Sequence, residues 1–277
     1  MPSILTVDYQ SATFGKEFTT SLKNTGFVVL KNHPIPRDLI HKIYKEWKLF
    51  FKSSNKYNYL FHPKKQDGYF PYLSENSKYS REKDLKEFYH IYNWGRYPED
   101  ISNKTNELIN QFKIIAEKLL FEIHKHSPLL IKNNFSIPLN KMIQKSDANL
   151  LRIIHYPPLD GSEKKESVRA GAHEDINLIT LLVAGSQPGL QVLDQNNNWV
   201  NVSTSSDYIV VNVGDMLQKC SNNYYPSTTH RVINPKNDNQ SRYSMPFFVH
   251  ARDEVVLSDK HTAKSYLEER LKEIGLK

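Results

Sequence analysis

Two side chains able to bind a metal, His173 and Asp175, stand two residues apart in the stretch Ala170-Gly171-Ala172-His173-Glu174-Asp175-Ile176-Asn177-Leu178-Ile179-Thr180-Leu181-Leu182. The run that follows is apolar and rich in strand formers. Side chains of a strand alternate between faces, which places His173 and Asp175 on one side and Glu174 on the other. A third ligand is offered downstream by His230 in Thr229-His230-Arg231-Val232-Ile233. Two imidazoles and one carboxylate on one face of an ion leave the opposite positions open, an arrangement that suits ferrous iron and oxygen chemistry. Alone, a His-x-Asp pair in a chain with eleven histidines is a weak signal, and a solvated turn is the ordinary alternative.

The order of segments strengthens it. Beyond His230 comes Ser241-Arg242-Tyr243-Ser244-Met245-Pro246-Phe247-Phe248, where strand alternation sets Arg242 and Ser244 on one face. A guanidinium beside a hydroxyl is suited to grip a carboxylate.

With these residues in place the chain resembles the iron- and 2-oxoglutarate-dependent oxygenases of the isopenicillin N synthase-like type. The likeness extends to Gly26-Phe27-Val28-Val29-Leu30-Lys31-Asn32-His33, to Asp84-Leu85-Lys86-Glu87-Phe88-Tyr89, to Leu151-Arg152-Ile153-Ile154-His155-Tyr156-Pro157-Pro158 and to Asn212-Val213-Gly214-Asp215-Met216-Leu217-Gln218. It covers most of the chain, is specific for the superfamily and says nothing of the substrate.

The resemblance implies a single oxygenase domain over residues 1–277 in the α+β class. Its core is a double-stranded β-helix, or jelly roll, over 149–250, with a mainly helical part over 1–148 and a C-terminal helix within 251–277. It implies Fe(II) held by His173, Asp175 and His230, with 2-oxoglutarate as co-substrate and O2 as oxidant. The far carboxylate of 2-oxoglutarate is expected on Arg242 and Ser244, with Tyr156 adding a hydrogen bond. Relatives that halogenate lack the carboxylate ligand, so Asp175 points to hydroxylation, desaturation or ring chemistry.

If Tyr156 faces the cavity, Ile154 and Arg152 face it too. Ile154 stands where plant relatives often carry Asn and makes that wall more apolar. Arg152 inside a barrel needs a partner, which is either an acidic group of the substrate, such as an amino acid or organic acid, or an internal carboxylate. Arg169 and Phe248 are further substrate-binding candidates. Two alternatives stay open at this level: an oxidase of the same fold that uses no 2-oxoglutarate, and a non-catalytic protein binding a metal or small molecule.

Composition narrows the setting. The net charge is +7, but lysines such as Lys42, Lys45, Lys48 and Lys52 are dispersed among acidic residues, so no basic stripe for nucleic acid is expected. A single cysteine, Cys220, permits no internal disulfide and reads as a buried structural residue. No membrane span or leader pattern is found, which gives an expectation of a cytoplasmic protein with no membrane partner. The oligomeric state is open.

The elements that must position these groups follow from periodicity. Phe14, Phe18 and Leu22 predict a helix over 14–23 that stops at Asn24-Thr25-Gly26, and Phe27 to Leu30 reads as a strand. Pro36 to Phe51 and Ile101 to His126 read as long helices with buried stripes of Leu39, Ile43, Trp47 and Phe50 or Phe51, and of Leu108, Phe112, Ile115, Leu119 and Ile123. Between them lies a tyrosine-rich region in which Tyr69, Phe70 and Tyr72 are candidates for a substrate entrance. Short strands are expected at Asn149–Tyr156, His173–Ala184, Leu190–Leu193, Trp199–Val202, Tyr208–Val213, His230–Val232 and Tyr243–His250. Pro188-Gly189 and Gln195 to Asn198 read as turns, Asp160 to Val168 as a loop, and Thr262 to Leu276 as a charged terminal helix. Asn212 and Asp215 are read as turn residues.

Overall fold

The structure, a computed structural model, describes residues 3–76, 82–183, 185–202, 207–235 and 238–273. In chain order its elements are β1 (Thr6–Asp8), α1 (Phe14–Thr25), β2 (Phe27–Lys31), α2 (Arg37–Lys52), β3 (Gly68–Phe70), β4 (Glu87–Ile91), α3 (Lys104–His126), α4 (Leu129–Lys132) and α5 (Leu139–Met142). There follow β5 (Leu150–Tyr156), β6 (Ala170–His173), β7 (Ile179–Val183), β8 (Leu190–Leu193), β9 (Trp199–Asn201), β10 (Ile209–Val213), α6 (Asp215–Cys220), β11 (His230–Val232), β12 (Arg242–Val249), β13 (Val256–Ser258), β14 (His261–Thr262) and α7 (Ala263–Glu273).

Two sheets carry the fold. The larger has the order β1-β2-β10-β7-β12-β5-β4-β3, and the smaller β6-β11-β8-β9. Between them lies an apolar interior that includes Phe27, Val29, Phe70, Phe88, Ile154, Tyr156, Leu190, Val192, Val210 and Val232. The outer face of the large sheet is covered by helices whose buried stripes include Phe18 and Leu22 of α1, Ile43 and Trp47 of α2, and Phe112 and Leu119 of α3. This is the expected double-stranded β-helix backed by long helices. The helix-rich first half also contributes β1, β2, β3 and β4 to the large sheet, so the sheet spans both parts of the chain.

Three differences from the sequence reading have clear causes. The run His173–Ala184 is two elements, since the chain leaves the small sheet after His173 and enters the large one at Ile179. In between, the carbonyls of Asp175, Asn177 and Leu178 accept from the amides of Asp215, Met216 and Gly214 at 2.7, 3.0 and 3.0 Å, so this segment is bonded to a turn and not to a ladder. Ala184 itself lies outside the described residues. On α2 Ile40 joins Ile43 and Trp47 in the buried stripe, because it and not Leu39 faces the sheet, and Leu39 is only partly buried. Tyr69 points away from the barrel interior, packs with the helix-side core and donates its hydroxyl proton to Glu87, whereas Phe70 faces inward and Tyr72 is exposed.

The terminal helix covers Ala263–Glu273, Leu276 lying outside the described residues, and it is preceded by the β13–β14 hairpin, which the sequence reading missed. Asp160 to Val168 contains neither helix nor strand. Among the described residues no helix is long and apolar enough to cross a membrane.

Candidate iron and co-substrate site

His173 ends β6 and His230 begins β11, and the two are direct partners across this antiparallel pair. Their ring centroids are 4.4 Å apart. Asp175, two residues beyond β6, turns back so that its Oδ1 lies 3.9 Å from His173 Nε2 and 3.8 Å from His230 Nε2. One ligand atom from each of the three falls within 4.8 Å of the others. Strand alternation put His173 and Asp175 on one face. The structure brings them together through a bend instead, and Glu174 turns to accept a hydrogen bond from the Thr229 hydroxyl.

Each imidazole is oriented in the same way. His173 Nδ1 donates to the Gly171 carbonyl at 2.8 Å and His230 Nδ1 to the Thr228 carbonyl at 3.1 Å, the acceptor being two residues back in both cases. That fixes the tautomer and leaves both Nε2 lone pairs for a metal. Burial, reinforced by the neighbouring His230, pushes His173 below the usual histidine range, which keeps it neutral. The carboxyl of Asp175 is pushed up by burial. The two histidines and the hydrogen bonds from Asn212 and Thr180 outweigh this and hold it below its ordinary value, so it is ionised. A neutral His173 and an ionised Asp175 are in the protonation states that a divalent metal requires.

Asn212 and Thr180 are partners that the sequence reading missed. Asn212 Nδ2 donates to Asp175 Oδ2 at 2.8 Å, and the Thr180 hydroxyl donates to the same oxygen. Asn177 Nδ2 in turn donates to Thr180 Oγ1 at 2.8 Å, which directs the Thr180 proton toward Asp175. Asn212, expected in a turn, sits on β10 with its side chain on Asp175. Asp215 does serve the turn, through its amide on the Asp175 carbonyl, while its carboxylate pairs with Arg270 at 3.0 Å.

On the large sheet, Arg242 stands opposite Tyr156 and Ser244 opposite Ile154 across the β12–β5 pair. Directly paired residues share a face, so all four side chains point to the same side. The Arg242 guanidinium lies 5.1 Å from the Tyr156 ring and donates from Nε to the Gln187 carbonyl at 3.0 Å. It is buried, and its Nη1 has no hydrogen-bond partner. An unspent, buried, charged donor calls for an anion. A His-Asp-His cluster able to hold a metal ion, together with this cation, would suit a 2-oxo acid with a second carboxylate.

A third group of charges lines the wall. Lys86 Nζ bridges Glu75 and Asp84, each at 2.8 Å, and Arg152 Nη1 meets Glu75 at 3.2 Å. Arg152 Nε donates to His90 Nε2 at 2.8 Å, and the guanidinium lies over the rings of Phe88 and Phe248 at 4.4 and 5.5 Å. Arg152 and Ile154 therefore face the interior as alternation requires, and the partner of Arg152 is internal. Asp84 also accepts the amide of Gly171 at 3.0 Å, which ties this network to the strand of His173. The signal that could have singled out Asp84 and Lys86 was their place in the Asp-x-Lys-Glu segment.

Comparison with known proteins gives this geometry its context. Residues 148–251 match the profile of the 2OG-Fe(II) oxygenase superfamily, and residues 4–113 that of the non-haem dioxygenase N-terminal region from morphine synthesis. An oxygenase-family protein of Shewanella oneidensis has the same fold with a TM-score of 0.89 at 46% identity over 99% of both chains. The chain belongs to the 2-oxoglutarate/Fe(II) oxygenase superfamily. Members similar to it include the 2-oxoglutarate-dependent dioxygenase htyE of Aspergillus rugulosus, 28% identical over 85% of this chain and 80% of that one. A Neurospora crassa enzyme crystallised with α-ketoglutarate and 5-formyluracil superimposes with a TM-score of 0.77 at 25% identity, covering 96% of this chain and 94% of its own. The oxygenase accordingly works with Fe(II), 2-oxoglutarate and O2 as a dioxygenase, which sets aside the readings as a 2-oxoglutarate-independent oxidase or a passive binder.

Proposed function

We propose that this oxygenase hydroxylates a small, planar, uncharged molecule held between the metal and the aromatic wall of the barrel. In this reading His173, Asp175 and His230 hold the ferrous ion, and Arg242, Ser244 and Tyr156 hold the far carboxylate of 2-oxoglutarate. When bound, the ion and co-substrate supply oxidation of a C–H bond by O2, coupled to loss of carbon dioxide. The chain's own residues orient the ligands, keep His173 neutral and anchor the co-substrate's tail. A carboxylate ligand at position 175 supports hydroxylation over halogenation.

The observation that carries the substrate class is the charge balance of the wall. Among the described residues, the cations Lys86 and Arg152 meet the carboxylates Glu75 and Asp84, so the acid expected opposite Arg152 is supplied within the chain. Phe61, Phe70 and Phe88 form a stack, with centroids 4.3 and 4.5 Å apart, and Phe248 lies on the other side of Arg152. A ring that stacks on these faces and shares hydrogen bonds with Arg152 fits better than a second acid. The 5-formyluracil in the crystals of the Neurospora crassa relative supports the same class. A reducing cytoplasm suits the lone, buried thiol of Cys220.

The test is a screen for substrate-dependent succinate release, comparing nucleobases and other heterocycles with amino acids and small organic acids. Heterocycles should drive release. Release driven only by acids would overturn the substrate class. Absence of a visible charge-transfer band on anaerobic addition of Fe(II) and 2-oxoglutarate would overturn the proposed ligand set.

A further inference from the structure

Arg169 stands immediately before β6 and, like Arg242, is only 1% exposed. Each guanidinium is tethered on one side to a backbone carbonyl, Arg169 Nη2 to Gln240 at 2.6 Å and Arg242 Nε to Gln187 at 3.0 Å. On the other side each has a buried donor without a partner, Nε of Arg169 and Nη1 of Arg242. Gln240 lies two residues before Arg242, so the two cations converge at the start of β12, beside Tyr156. Burial and the positive charge of Arg242 both weaken the hold of Arg169 on its proton. No carboxylate forms an ion pair with either arginine among the described residues, in contrast to Arg152 and Arg270.

Two like charges buried together with free donors are costly unless an anion lies between them. One arginine would neutralise one carboxylate. A second adds directed, charge-assisted hydrogen bonds to its two oxygens and relieves the repulsion once the anion is present. We propose that Arg169 is a second co-substrate-binding residue, forming with Arg242 a two-guanidinium cradle that selects 2-oxo acids bearing a far carboxylate. The inference rests on the reading that Arg242 anchors 2-oxoglutarate.

The experiment is titration calorimetry on the full chain loaded with Mn(II) under argon, using 2-oxoglutarate and 2-oxobutyrate, which has the same 2-oxo acid head and no far carboxylate. Arg242→Gln and Arg169→Gln should each weaken 2-oxoglutarate binding by about tenfold or more, the loss expected for a buried charged hydrogen bond. Both should leave 2-oxobutyrate binding at the wild-type value. Arg169→Lys, which keeps the charge and loses the planar fork, should fall between wild type and Arg169→Gln and serves if the latter does not fold.

If Arg169→Gln, or in its place Arg169→Lys, binds 2-oxoglutarate as wild type does, Arg169 is a strut for the Gln240 segment and the proposal fails. Equal weakening of both ligands overturns it as well, because it indicates a distorted site. If Arg242→Gln leaves 2-oxoglutarate binding unchanged, the underlying co-substrate reading fails instead.

Discussion

Asn212 Nδ2 lies 2.8 Å from Oδ2 of Asp175, the carboxylate oxygen turned away from the two histidines. With Thr180 on the same atom, Oδ2 is occupied and Oδ1 alone is offered to the metal. Replacing Asn212 by Leu removes one of the two donors to Oδ2, leaves Thr180 alone on it and loosens the carboxylate's orientation. Outer partners of metal ligands are commonly worth ten- to a hundredfold in affinity, so Asn212→Leu is expected to weaken Co(II) or Fe(II) binding by roughly that factor. Metal titration followed by ligand-field absorption measures it.

Gly185 approaches Arg242 so closely that a Cβ there would lie 2.6 Å from Nη2. Gly185→Ala must push the guanidinium aside. The KM for 2-oxoglutarate is expected to rise about tenfold, equivalent to roughly 1.4 kcal/mol, with kcat close to wild type at saturating co-substrate. Steady-state succinate assays over a range of 2-oxoglutarate concentrations separate the two parameters.

Gly26 closes α1 in the left-handed conformation, with φ of 71°, and its amide donates to the Leu22 carbonyl at 2.8 Å. A Cβ at this position would meet the Pro226 carbonyl at 2.5 Å and Thr228 still closer. Gly26→Ala is expected to cost about 2 kcal/mol or more in stability. Because Thr228 also accepts the His230 ring proton, the same change should weaken metal binding. Thermal melting with and without Mn(II) reads both effects.

Acid stability turns on His90. Burial first, and the charge of Arg152 beside it, push this imidazole from 6.5 down to about 3. Its Nδ1 donates to the Gln66 carbonyl at 2.8 Å and its Nε2 accepts from Arg152, so the native ring is neutral. Below about pH 6.5 the unfolded chain takes up a proton that the folded chain refuses until about pH 3. Stability therefore falls as pH drops through that interval. Glu75 acts in the same direction: burial raises its pKa, but Arg152 and Lys86 outweigh this and hold it far below its ordinary 4.5, so its contribution is lost as pH falls beneath 4.5. Urea unfolding of wild type and His90→Phe at several pH values checks the slope, which should be shallower in the variant between pH 6.5 and 4.5.

The part of the site that could be read from sequence is the part written locally. His173 and Asp175 lie within three residues and Arg242 and Ser244 within three more, His230 was offered downstream as the third donor, and the likeness to a family added Tyr156. The long helices declared themselves through aromatic stripes, as Trp47 and Phe112 show. What stayed hidden depends on tertiary meetings. Asn212 and Thr180 converge on Asp175 from different strands, and an Asn before Val-Gly-Asp is equally at home in a turn. The inner partner of Arg152 is Glu75, in a loop without periodicity. The break after His173 could not be seen because Ile176 to Leu182 is uniformly apolar or strand-prone around a single Asn. Only the carbonyls' bonds to the Gly214 turn show where one sheet gives way to the other.

The crossing from β6 to β7 gives the metal site a second property. Asp175 belongs to the strap that leaves the small sheet for the large one, while His230 belongs to the neighbouring strand of the small sheet. An ion joining the three residues is a rivet between the barrel's two walls as well as a reagent. Loss of an ion held there would then weaken the tie between the strap at residues 174–178 and the small sheet along with the chemistry.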